Sequence, residues 1–173
     1  MSENPIFEFF ETPFETFPFH KVTDAHFLPA IMQSIEEAKG EINALKSNPA
    51  LPTFENTIEV LERAGKRLNT VSEAFFNLNH AHTNETRQQI AQEASPLLSA
   101  YSNDITLDEA LFQRIKAVFE QRATLTLNIE QQRLLEKTYK SFARNGANLP
   151  PESKEKLREI DKALAQVSLT FGE

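Results

Sequence analysis

The sequence predicts an all-α protein: an antiparallel multi-helix bundle of about six helices, preceded by an extended Phe/Pro-rich arm over residues 1–22. Three observations carry this. Apolar residues recur at steps of three and four through most of residues 23–173, the period of one helix face. The breaks between these stretches are short and rich in Pro, Gly and Asn, so neighbouring helices run antiparallel. Alternation of the kind a strand needs occurs only in "TLTLNIE", an ambiguous link before residue 131.

The arm comes first. Pro5, Pro13 and Pro18 interrupt "NPIFEFFETPFETFPFHK", and each removes a backbone donor and biases its predecessor toward extended geometry. The chain has 14 Phe, 2 Tyr and no Trp. Phe7, Phe9, Phe10, Phe14, Phe17 and Phe19 are too dense a strip to leave in water. The favoured reading packs the arm on the chain's own helices, and the sharper one docks it on a second domain or chain.

The first helix takes Thr23 or Asp24 as its cap and buries Phe27, Ile31, Ile35, Ala38, Ile42 and Leu45. Pro29 sits early and is expected to shift the start to its own position, since proline suits a first turn. The second helix follows Thr53 in "LPTFENTIEVLERAG". Its stripe of Phe54, Ile58 and Leu61 continues past Gly65 through Leu68, Val71, Phe75 and Leu78. The third spans roughly Glu85 to Asn103, with a bend or break expected at Ser95 before Pro96.

Asp108 caps the fourth helix, with Leu111, Ile115 and Val118 inward. Asn128 caps the fifth, with Glu130 or Gln131 in its first turn. Leu135, Tyr139 and Phe142 form its stripe, and Asn145-Gly146 is its stop signal. The last helix opens at Pro150 or Pro151. It carries Leu157, Ile160, Leu164, Val167 and Phe171, spaced like a coiled-coil seam. The seam is still periodic when the chain stops at Glu173, so a cut at a helix edge is as open a reading as a natural terminus.

Composition narrows the function. The chain has 173 residues and a net charge of −7. That charge disfavours nucleic acid and anionic membrane as partners. There is no Cys, which removes disulfides and thiol chemistry. No apolar run is long enough to span a bilayer, and the acidic first residues are not those of a signal peptide. A cytoplasmic location is expected.

Catalytic motifs are missing. A zinc peptidase helix needs two His one turn apart with a Glu after the first. None of His20, His26, His80 and His82 is followed by Glu. His80 and His82 are the one close pair, and a solvated helix end explains them better than a metal site. Glu36 and Glu37 read as surface charge rather than a tuned acid–base pair. The four Gly are scattered, so no phosphate-cradling loop exists. No catalytic, cofactor-binding or metal residue is assigned to any position. Residues alone give a helical domain without a visible active site, and a stand-alone helical adaptor for a partner peptide or helix is the alternative.

The wording of three segments adds to this. "TPFETFPFHKVTDAHFLPAI", "LPTFENTIEVLERAG" and "FFNLNHAHTNETRQQIAQEASPLLSAYSNDITLDEALFQRIKAVFEQR" stand here in order. Together they resemble the N-terminal region of the thimet-oligopeptidase-like zinc metallopeptidases. The bacterial oligopeptidase A and peptidyl-dipeptidase (dipeptidyl carboxypeptidase) branch is the nearest. "PTFENTI" followed by "LER" is the most specific part, and the likeness runs from about Pro13 to Phe171.

The resemblance implies a longer parent whose His-Glu-x-x-His helix and zinc lie downstream of this chain. It implies that residues 23–173 are a helical N-terminal domain forming one wall of a channel for short peptides. The remaining catalytic domain of the same polypeptide would be its partner. Endopeptidase and dipeptide-releasing specificities both stay open.

Overall fold

The computed structural model describes residues 4–8 and 10–172, so Phe9 of the arm lies outside the described residues. Six helices of twelve residues or more build an all-α fold, with no strand among the described residues. They are α1 (Asp24–Lys46), α3 (Lys66–Ala81), α4 (Glu85–Thr106), α5 (Glu109–Glu120), α6 (Ile129–Arg144) and α7 (Pro151–Gly172). A π-helical segment, Phe54–Glu59, runs into the short α2 (Val60–Arg63). "TLTLNIE" is turn and loop up to the start of α6.

Helix α1 is the spine. At about 1.5 Å per residue, it is long enough to serve two separate cores. Its first half contributes Phe27, Ile31 and Ile35 to a core with Leu68, Val71 and Phe75 of α3 and Ile90 and Ala94 of α4. Its last turns give Ile42 and Leu45 to a second core with Phe54, Ile58, Leu111, Ile115, Leu135 and Phe142. All six apolar positions expected on α1 are buried.

Its start is Thr23, not Pro29, which sits inside the helix. His26 Nδ1 accepts the Thr23 N–H at 3.0 Å. This cap sets the helix going one turn earlier, and Pro29 then forfeits only its own missing donor.

The expected second helix is two. Gly65 adopts φ 71° and separates α2 from α3. Its N–H donates to Glu41 Oε2 at 2.8 Å, and its carbonyl accepts from Asn69 at 2.9 Å. Glycine enters this left-handed region without the steric cost that other residues meet. The apolar stripe survives the turn, which is why periodicity alone reads straight through it.

Pro96 does the opposite. It lies within α4, which continues unbroken to Thr106. Buried Ile90, Ala91 and Ala94 before it, and Asn103 after it, hold both halves in place. Tertiary packing outweighs one lost backbone bond here.

The arm folds back on the helices through two 3₁₀ turns, Pro5–Phe7 and Pro13–Glu15. Ile6 is buried in the first core, and Phe17 stacks on Phe27 with centroids 6.0 Å apart. Phe14, fully exposed at φ 59°, and Phe19, 51% exposed, are the exceptions.

Candidate functional site

The most family-specific wording, "PTFENTI", makes a structural knot. Asn56 Oδ1 accepts the Thr53 N–H at 2.9 Å and the Thr57 hydroxyl at 2.8 Å. Its amide donates to the Leu51 carbonyl at 2.9 Å. Arg114 of α5 donates to the Asn48 carbonyl at 2.8 Å. Phe54 and Ile58 then enter the second core. These residues shape a loop and a helix start; none is aimed at a ligand.

The histidines are dispersed. His26 serves the α1 cap. His80 and His82 are exposed at the end of α3, and His82 Nδ1 lies 3.0 Å from Arg87 Nη1. Glu36 pairs with Lys39 at 3.1 Å and Glu37 with Arg67 at 3.6 Å. Exposed pairs of this kind contribute about 0–1 kcal/mol. Among the described residues, no three His, Asp or Glu side chains converge as a metal would require.

Two titrating groups sit in well-defined surroundings. Asp24 feels burial, which pushes its carboxyl up, but hydrogen bonds from Arg87 and Asn84 with the charges of Arg87 and His82 outweigh it. Its carboxyl is held below the usual value. Burial pushes the Tyr101 hydroxyl up, and the Glu41 carboxylate adds to that. Neither group stands beside a nucleophile. The open groove of about 730 Å³ between the arm and α1/α3 is lined by Phe7, Phe10, Glu37, Glu41 and Arg67. There Arg67 covers the Phe7 ring at 5.3 Å and pairs with Glu37, and Lys66 is a second cation of the lining.

The surface is more informative. Helix α7 sits on α4 by one face. Lys154 Nζ donates to the Leu107 carbonyl at 2.9 Å, and Arg158 Nη1 to Asp104 Oδ1 at 2.7 Å. Leu157 is partly buried beside them. At about 100° per residue, Ile160, Leu164, Val167 and Phe171 lie roughly a quarter turn away from that face. They are 61, 61, 64 and 94% exposed. The periodicity places a seam here, and no other part of the described chain covers it.

The accessible surface makes the same point for the whole molecule. It is 11156 Å², against about 8,600 Å² for a compact monomer of 19.7 kDa. The excess exceeds the roughly 800 Å² that one partner buries in a standard interface.

No family model matches the chain. Three relatives show similarity over nearly the whole chain. The chain is 35% identical over 173 residues to dipeptidyl carboxypeptidase of Salmonella typhimurium, a match that takes 100% of this chain and 25% of that protein. Against dipeptidyl carboxypeptidase of Escherichia coli it is 33% identical over 170 residues, 98% of this chain and 25% of the relative. Against oligopeptidase A of Escherichia coli it is 24% identical over 161 residues, 93% and 24%. The chain therefore spans about a quarter of the length of the curated relatives it matches. Continuous similarity over this span, joined to an all-α fold, means that the chain belongs to the thimet-oligopeptidase-like family, in the branch of the bacterial dipeptidyl carboxypeptidases and oligopeptidases A.

Proposed function

We propose that residues 23–173 are the N-terminal helical domain of a zinc-dependent oligopeptidase that hydrolyses short peptides. In this reading the domain forms one wall of the substrate channel, and residues 1–22 are an arm that braces it. The observation that carries the reading is similarity along the full chain to peptidases about four times as long.

Among the described residues, no three His, Asp or Glu side chains are grouped to hold zinc. The chain's own contribution is shape. A rigid helical wall, held by two cores along α1, admits an extended peptide strand and obstructs a folded one. It supplies no general base and no nucleophile. Its partner is the remaining catalytic domain of the same polypeptide.

The test begins with the gene. A reading frame that continues past Glu173 into a His-Glu-x-x-His helix, with stoichiometric zinc in the purified product, supports the proposal. A stop codon after Glu173 contradicts it and favours a stand-alone helical adaptor.

A further inference from the structure

The apolar stripe on α7 has no role inside the described fold. Its inner neighbours are already satisfied: Leu157 is partly buried beside Gly146, and Arg158 and Lys154 anchor the helix by hydrogen bonds. That anchoring fixes the direction in which Ile160, Leu164, Val167 and Phe171 face. The steps of four, three and four between them match one seam of a two-helix contact. Four large apolar residues in one line, each at least 61% exposed, form a patch that soluble monomers rarely leave open.

We infer that this stripe is a docking face for a helix of the same polypeptide beyond residue 173. The inference rests on the proposed function for the existence of that polypeptide. The relatives contain about three times as much further sequence as this chain covers, enough to supply a covering element. A helix is the inferred occupant because this spacing is the one that knobs-into-holes packing between two helices uses. The helix that docks presents its own apolar ridge to Leu164 and Val167 at the centre, with Ile160 and Phe171 at the two ends.

Hydrogen exchange on the longer polypeptide tests this. Three samples are compared: the longer protein, its Leu164→Glu/Val167→Glu variant, and the 173-residue chain. The amides of residues 160–171 are expected to exchange about tenfold or more slowly in the longer protein than in the short chain. The double substitution is expected to remove that difference while amides of α1 keep their protection. Equal exchange at 160–171 in the long and short proteins overturns the inference. So does a short chain that protects these amides by itself and sediments as a dimer, since the occupant is then a second copy. Peptide hydrolysis is read on the same samples. A longer protein that is protected at 160–171 but leaves short peptides intact sinks the functional reading and keeps the docking face. One that cleaves peptides without protecting them does the reverse.

Discussion

Arg87 Nε donates to Asp24 Oδ1 at 2.8 Å and so ties the first turn of α4 to the first turn of α1. Both side chains are largely covered, at 14 and 24% exposure. Asn84, the α4 cap, donates to the other Asp24 oxygen at 3.1 Å. The carboxylate thus serves two helix N-termini, where negative charge is favoured.

Asp24→Asn is expected to lower stability by about 1–3 kcal/mol at pH 7, the worth of hydrogen bonds to a charged group. The carboxyl is depressed in the folded state. Its contribution is therefore complete above the unfolded value of about 3.9 and is lost as pH falls through the lower folded value. Urea midpoints for wild type and variant should differ at neutral pH and converge toward about pH 2. A gap that stays constant down to that pH contradicts the assignment.

The two left-handed glycines should respond unequally to alanine. At Gly65, φ 71°, a new Cβ meets the Tyr101 hydroxyl at 3.2 Å. Backbone strain dominates there, and a loss of about 1–2 kcal/mol is expected. At Gly146, φ 98°, a Cβ falls 2.9 Å from Leu157, 3.0 Å from Leu149 and 3.1 Å from Leu107. Gly146 also closes α6, with the Ala147 N–H donating to the Phe142 carbonyl at 3.0 Å. Strain and overpacking add, so about 2–4 kcal/mol is expected. Thermal denaturation of both variants checks the order, and Gly65→Ala proving the worse of the two would contradict it.

Core and seam should separate cleanly in the 173-residue chain. Phe112 is 1% exposed and stacks on Tyr139 with centroids 5.7 Å apart. Phe112→Ala is expected to cost about 3–5 kcal/mol. Leu164, on the open stripe of α7, is expected to change stability by no more than about 0.5 kcal/mol on truncation to Ala. A large loss at Leu164 in the short chain means that the stripe is already covered.

These contrasts explain what sequence can and cannot reveal. Caps and stripes made α1, α5 and α6 legible, because Thr23, Asp108 and Asn128 act locally and their observed capping bonds span three residues. Gly65 was not legible as a break, since the apolar period continues in phase on both sides of it. Pro96 misled in the other direction, because its cost is a local quantity and the burial that outweighs it is not. On α7 the period identified an apolar face correctly. Periodicity reports that a face is apolar, not what lies against it, so the exposure of Leu164 and Val167 emerged only in three dimensions. The knot around Asn56 carries the most recognisable wording in the chain, yet its bonds are structural. Wording pointed to a family where chemistry pointed nowhere.

The decisive measurement is peptide hydrolysis, run in parallel on the 173-residue chain and on the product of the longer reading frame with zinc supplied. Cleavage of short unstructured peptides is expected from the longer protein and none from the chain of 173 residues. Turnover by the short chain alone, or inertness of the longer protein toward every short peptide, would contradict this expectation.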